Sequence, residues 1–353
     1  MQKKRKTIGL IGLLTVLALT GCGTKAQPGA SAPAAGAGTQ ESAAASGTLS
    51  GTLNFYTSQP EEDVTKLVAA FQGKYPDVRV APFRSGTEEV IAKVQAEKQA
   101  GKVQADLLLL ADSVTFESLK RQDLLAAYKS PEAAKLPPGY ADGDGAYTGT
   151  KIIATVLAVH TGKVKTVPAS WKALAAPENK NAAVMPSPLY SGAAAYNIGV
   201  FTRTEGFGWD YLRSLKEGGM TVVKGNGAVL KSVASGEKSM AMVVDYLVAR
   251  EKAKGSPVDL VYPSEGVPVI TEPIAIVKNS PNRKLAEAFV DFVLSEEGQT
   301  LASKLGYTPL REGVPAPQGL KALKDIKVLS AGPAELVEAR EADKKQFTEV
   351  FGQ

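Results

Sequence analysis

Between Thr221 and Tyr246 the chain reads TVVKGNGAVLKSVASGEKSMAMVVDY, and the rest of the sequence is organised around this order. Thr221-Val222-Val223 is a β-branched run suited to a strand. Lys224-Gly225-Asn226-Gly227 is turn chemistry that ends at a candidate N-cap, Asn226. Val229, Leu230 and Val233 form the apolar face of a short helix, which Gly236 closes. Met240 to Val244 is an unbroken apolar run, hence a buried strand, and it ends on two polar residues, Asp245 and Tyr246. Strand–helix–strand units build open α/β sheets, whose ligands sit outside the carboxyl ends of strands and near helix N-termini. The structural alternative is that Asp245 caps a helix over Leu247 to Lys254 while Tyr246 fills the edge of the core.

The same grammar recurs upstream. Thr52 to Tyr56 is an alternating strand, followed by Ser58-Gln59-Pro60-Glu61, which has capping-box spacing, and by Val64, Leu67, Val68 and Phe71 at helical spacing. Val78 to Val80 is a second strand. It leads to Arg84-Ser85-Gly86-Thr87-Glu88, a second capping box, and a helix carrying Val90, Ile91 and Val94. Leu107 to Leu110 is a buried strand ending at Asp112-Ser113, where a third helix starts. Farther along, Ser191-Gly192 is poised to begin a small-residue helix through Val200. Two runs, Lys151 to His160 and Pro268 to Val277, are long enough to cross between lobes. Asn282 to Leu305 is a strongly amphipathic helical stretch that stops at Gly306-Tyr307-Thr308-Pro309.

The N-terminal end is of another kind. A chain of 353 residues with a formal charge of +5 invites a nucleic-acid reading, but Lys3, Lys4, Arg5 and Lys6 precede the first apolar run. Without these four the charge falls to +1, and that reading loses its support. Ile8 to Leu19 is an apolar run of signal-peptide length, too short to span a bilayer comfortably. It ends in Leu19-Thr20-Gly21-Cys22, which resembles the lipobox of bacterial lipoproteins; the resemblance implies cleavage after Gly21 and a diacylglyceryl group on Cys22. Cys22 is the only cysteine, so no disulfide can form within the chain. Gly23 to Gly51 is Ala, Ser, Gly, Pro, Thr and Gln with almost no large apolar residue, a composition that behaves as a tether.

Tether, strand–helix repeats, two crossing runs, PASWKAL at Pro168 to Leu174, GNGAVLKSVASGE at Gly225 to Glu237 and AFVDFVLSEEGQTLASKLGYTPLRE at Ala288 to Glu312 together resemble the solute-binding proteins of ABC importers. More narrowly they resemble the ferric-binding-protein branch of the family 1 extracellular solute-binding proteins. The resemblance implies the type II periplasmic-binding-protein fold: two α/β lobes joined by crossing strands, with the ligand in the cleft and a hinge motion that closes it. The expected organisation is a signal peptide over residues 1–21 and a lipidated cysteine with tether over 22–50. Lobe one would take 51–150 with 271–353, and lobe two 151–270. Expected partners are a small solute, an ABC permease and its ATPase, and the membrane through the lipid anchor. No nucleic acid and no cofactor are expected. The location is the outer face of the cell membrane, and the state a monomer.

Strand ends and helix starts supply the candidate ligand residues: Thr57, Ser58, Ser85, Gly86, Thr87, Asp112, Ser113, Ser191, Gly192 and Asn226. Hydroxyls and free amides at helix N-termini form an anion-binding inventory, although each alone is more often only a cap. Asp245, Glu265 and Glu272 are acids on segments that approach the cleft, and Tyr246 can stack or donate a hydrogen bond. Anion sites facing acids suit a small phosphonate or sugar phosphate, with an amine or hydroxyls at its other end. Ferric-binding relatives carry two adjacent tyrosines where this chain has Asp245-Tyr246, so iron held by that pair is the alternative and no metal is the first expectation. A thiamine-type ligand ranks lower, because Trp171 and Trp209 both read as structural. Enzyme signatures are thin: His160 is the sole histidine, and HExxH, Walker A and GxSxG are absent.

Overall fold

The computed structural model describes residues 49–352; the expected signal segment, Cys22 and nearly all of the tether lie outside them. The first half builds β1 (Gly51–Thr57), α1 (Glu61–Lys74), β2 (Val78–Arg84), α2 (Thr87–Gln99), β3 (Leu107–Leu109), α3 (Ser113–Arg121) and β4 (Leu125–Ala126). The second region carries β5 (Lys151–His160), β6 (Ala183–Pro186), α4 (Gly192–Thr202), α5 (Gly208–Glu217), β7 (Thr221–Val223), α6 (Asn226–Ala234), β8 (Met240–Val244), α7 (Asp245–Ala253), β9 (Val258–Val261) and β10 (Val267–Ile270). The chain then returns through β11 (Ile274–Val277), α8 (Arg283–Leu294), α9 (Glu296–Lys304), β12 (Thr308–Pro309), β13 (Val328–Leu329) and α10 (Pro333–Phe351).

These strands form two sheets, ordered β2-β1-β3-β11-β4 and β13-β10-β5-β8-β6-β7. In the first, β1 pairs parallel with β2 and β3, as strand–helix repeats require, and β11 enters antiparallel beside β3. Helices cover both faces, so β3 reads Leu-Leu-Leu rather than alternating. Phe55, Phe71, Phe289 and Phe292 stack tilted or edge-on between β1, α1 and α8, which ties the returning chain to the first sheet. In the second sheet β5 is the central strand, pairing antiparallel with β8, β9, β10 and β12 along its ten residues. That position explains its nearly continuous burial. Trp171 is fully buried there against Phe201, with its indole N–H on the Gly266 carbonyl at 2.8 Å.

Several local expectations change. Pro268 to Val277 is not one crossing strand: β10 belongs to the second sheet and β11 to the first, with a break at Thr271–Pro273. Glu272 takes the left-handed region there, at φ 39°. The amides of Thr150 and Lys151 both donate to the Thr271 carbonyl, and the Thr150 hydroxyl donates to the Glu272 carbonyl at 2.7 Å. The two inter-lobe connections are therefore bonded to each other. Asn282 to Leu305 divides into α8 and α9 at Ser295, whose hydroxyl caps α9 by accepting from the Gly298 amide. Residues 326–351, expected with lobe one, place Ile326, Leu329, Leu336, Phe347 and Phe351 in the core of the second sheet, with β13 paired to β10.

Candidate functional site

The Thr221–Tyr246 unit folds as its sequence reads, from β7 through α6 to β8, with one shift at each helix start. Gly225, extended, precedes α6, so Asn226 is its first residue rather than its cap. Asp245 likewise opens α7 instead of preceding it. Neither upstream capping box forms. Pro60 and Gly86 precede α1 and α2 without a side-chain cap, and Ser85 donates its hydroxyl to Glu89. By contrast, Asp112 and Ser191 are true N-caps, accepting from the Thr115 and Ala194 amides.

A cavity of about 340 Å³ lies between the lobes. The first lobe lines it with Ser58, Arg84, Gly86 and Thr87. The second contributes Tyr190, Ser191, Gly192, Lys224 to Gly227 and Tyr246, and the crossing segments add Ile153, Ile270 and Glu272. The starts of α2, α4 and α6 thus converge on one space, each presenting amides that have no acceptor within their own helix. Two glycines permit that convergence. A Cβ on Gly86 would stand 2.4 Å from the Tyr190 carbonyl oxygen, and one on Gly192 would stand 2.8 Å from both Thr87 and Asp112. The Glu88 amide donates to the Tyr190 carbonyl across the same contact at 3.3 Å.

Of the sequence candidates, Ser58, Gly86, Thr87, Ser191, Gly192, Asn226, Tyr246 and Glu272 reach this cavity. The others are used within the fold. Thr57 is fully buried, donating to the Leu109 carbonyl and accepting from the Gln59 amide. Asp112 accepts from Thr115 and from both terminal nitrogens of Arg340, and Ser113 lies in the first turn of α3 outside the lining. Ser85 is committed to Glu89. Asp245, expected to meet the solute, is directed away: it accepts from the Ala154 and Tyr246 amides and from the Tyr262 hydroxyl. Its burial pushes the carboxyl up to about 7 against the pull of those hydrogen bonds. Glu265 accepts from Ser170 and is not part of the lining.

The remaining acid in the cavity is already neutralised. Glu272 forms a buried ion pair with Lys151 and accepts from Gln59 at 2.9 Å. Tyr246 forms part of the wall as a packed ring. It lies 4.3 Å from the Tyr307 ring, with the Arg250 guanidinium 4.7 Å away, and burial raises its hydroxyl well above the ordinary phenol range. Arg250 in turn forms two hydrogen bonds to Asp63 of α1, and Tyr307 donates to that same carboxylate at 2.6 Å. Asp245 and Tyr246 therefore do not converge as a ligand pair. Among the described residues no group of three or more His, Cys, Asp or Glu is arranged to hold a metal ion.

Two cations at the mouth escaped the sequence reading. Arg84 donates from Nε to the Gln59 carbonyl at 2.7 Å and from its terminal nitrogen to the Tyr190 hydroxyl at 3.4 Å. Among the described residues no carboxylate pairs with it. Lys224 lies over the Tyr190 ring at 4.5 Å and pairs with Glu89 across the cleft at 3.0 Å. Both stand at a strand end beside a glycine turn, which is the signal that marks them.

Two α/β lobes, crossing strands and a cavity between them define a type II periplasmic binding protein. Residues 66–328 match the bacterial extracellular solute-binding proteins, and the chain belongs to that family. It is similar to a "Probable ABC transporter periplasmic-binding protein" of Sinorhizobium fredii, 25% identical over 279 residues covering 76% of each chain. Its fold is similar to that of the periplasmic binding protein AfuA from Actinobacillus pleuropneumoniae with exogenous fructose-6-phosphate bound. That comparison has a TM-score of 0.79 and 24% identity over 85% of this chain and 98% of the other. It is also similar to iron-bound HitA from Pseudomonas aeruginosa, with a TM-score of 0.74 and 26% identity over 84% and 99%. The chain is thus a solute-binding protein of an ABC importer, acting outside the cytoplasm and in partnership with a permease, and not an enzyme.

Proposed function

We propose that the protein captures a small phosphorylated polyol of the sugar-phosphate kind and delivers it to the permease, tethered to the membrane through lipidated Cys22. The observation that carries this reading is the pairing of Arg84, a guanidinium without a carboxylate partner, with three helix starts around one cavity. Helix N-termini favour anions, and a guanidinium fork matches phosphate geometry. A volume of about 340 Å³ stands at the small end of ligand sites, which run from about 300 to 1,000 Å³. With Asp245 turned away and Glu272 paired to Lys151, the cavity holds no free carboxylate for an amine. Hydroxyls rather than an ammonium suit its floor, so sugar phosphates rank above aminoalkyl phosphonates and thiamine species. The fold neighbour with bound fructose-6-phosphate agrees with this ranking.

Ferric iron is the second reading, favoured by the likeness to iron-bound HitA. The commitment of the Asp245 carboxylate to Ala154 and Tyr262, outside the cavity lining, and the cations at the mouth weigh against a bare trivalent cation. Calorimetric titration with fructose 6-phosphate, 2-aminoethylphosphonate, thiamine phosphate and ferric citrate decides between them. The expected result is saturable binding of the sugar phosphate in preference to the others. Tight ferric binding with a tyrosinate charge-transfer band that disappears in Tyr246→Phe overturns the proposal.

A further inference from the structure

The C-terminal helix α10 belongs by its apolar face to the second lobe. Leu336, Phe347 and Phe351 join that core, and Leu336 fits against Gly199 of α4, where a Cβ would stand only 2.7 Å away. Arg203 of the second lobe bonds Asp343 at 2.7 Å, and Lys216 donates to the Phe351 carbonyl. Yet α10 also reaches the first lobe. Val114 of α3 joins the same core, and beside it stands a group of four charges. Arg340 donates to Asp112 at 3.0 and 3.2 Å and to Glu88 at 2.7 Å, while Lys344 donates to the other oxygen of Glu88 at 2.7 Å. Side-chain exposure is 10% for Arg340, 11% for Glu88 and 0% for Asp112. Removing one member of so dry a cluster leaves the others uncompensated.

The place of this cluster matters more than its strength. Glu88 follows Thr87 at the start of α2, and Asp112 caps α3 directly after Ala111; Thr87 and Ala111 both line the cavity. Gly192, at the start of α4, stands close against Asp112. Arg340 therefore fastens the cavity-facing ends of two first-lobe helices to a helix whose packing is with the second lobe. We infer that Arg340 is a positioning residue for solute capture: α10 straps the lobes in the arrangement that completes the cavity, and Arg340 is its buckle. This rests on the solute entering the cavity between the lobes, not on the solute's chemistry. Loosening the strap lowers the fraction of molecules in the binding-competent arrangement. The apparent dissociation constant rises by the inverse of that fraction, although Arg340 does not line the cavity.

The test uses the full chain with Cys22→Ser and a nitroxide pair at Lys66→Cys and Lys231→Cys, exposed sites on α1 and α6. Pulsed electron spin resonance reads the inter-lobe distance, and calorimetry reads binding of fructose 6-phosphate. Arg340→Gln should broaden and lengthen the distance distribution without ligand and weaken binding about tenfold. Arg340→Lys should recover part of both. If Arg340→Gln does not fold, Lys344→Gln, which removes the ion pairs to Glu88 and Glu341 but spares those of Arg340, should show the same two changes in smaller measure. Distances and affinity unchanged from the parent in a folded variant overturn the inference. If the parent does not bind fructose 6-phosphate, the ligand assignment fails, and the distance measurement still decides the strap.

Discussion

Arg84→Ala is the sharpest perturbation of the proposed site. The guanidinium is exposed at the cavity mouth and is held by the Gln59 carbonyl and the Tyr190 hydroxyl. A hydrogen bond to a charged group contributes about 1.5–3 kcal/mol, and exposure puts Arg84 in the lower half of that range. Each helix start adds about 0.3–1 kcal/mol for an anion, and the other cation of the lining, Lys224, is already paired with Glu89, so Arg84 is the group to remove. Losing about 1.5–2 kcal/mol corresponds to about tenfold to thirtyfold weaker binding. Arg84→Ala also frees the carbonyl of Gln59, a buried residue, so urea denaturation of the variant accompanies the binding measurement. Calorimetry with fructose 6-phosphate measures the effect, with fructose as the uncharged control. Arg84→Lys should keep the charge but lose part of the directional contact, and the gap between Arg84→Ala and wild type should narrow as salt is raised. An Arg84→Ala dissociation constant within about twofold of wild type refutes the assignment of the anion to this cluster, a change below the energy of any charged hydrogen bond.

Two further predictions concern the fold and its location. Burial holds a proton on Asp245 up to about pH 7, whereas the unfolded chain releases it near 3.8, so the folded state binds the extra proton between those values and this site's contribution to stability falls as pH rises through them. Asp245→Asn should therefore be more stable than wild type at about pH 8, with the advantage vanishing near pH 4 in urea denaturation; an equal difference at both pH values counts against the buried, proton-bearing carboxyl. Cys22→Ala should leave the protein unprocessed or release it from membranes, because stable anchoring takes at least two acyl chains. Membrane fractionation of a mature-sized Cys22→Ala protein contradicts the lipoprotein reading.

The local grammar of the chain was legible because it depends on neighbours in sequence. Periodicity located β1 through α3 and the whole β7–α6–β8 unit, and the long apolar run of Lys151 to His160 marked the central strand. What failed depended on distant partners. Nothing near Asp245 announces that Ala154 and Tyr262 will consume its carboxylate, or that Lys151 will neutralise Glu272. Arg340, more than two hundred residues from Asp112 and Glu88, converts an apparent ligand site into an inter-lobe fastening. Arg84 and Lys224 look like ordinary surface cations until β2 and β7 bring them to the same mouth. Pro268 to Val277 reads as one strand because both halves are apolar, and only the sheet pairing reveals the transfer between lobes.

Charge and closure meet in this arrangement. The start of α2 on one lobe faces the starts of α4 and α6 on the other, so the positive ends of three helix dipoles point into one space along with Arg84 and Lys224. Like charges facing across a cleft oppose its closing. Glu89 relieves that opposition at the rim, through its ion pair with Lys224 and its attraction to Arg84, while Glu88 is spoken for by Arg340 and Lys344. The centre of the cavity is left with donors on both sides and no free protein anion between them. An anionic solute supplies that charge and is attracted by both lobes at once, which is the differential contact needed to shift a hinge toward its closed form. A neutral sugar of the same size gains hydroxyl contacts but leaves the facing dipoles unscreened. If the solute is the proposed anion, its selection and closure upon it are one electrostatic event, with the contacts at Gly86 and Gly192 allowing the helix starts to approach closely enough for it to act.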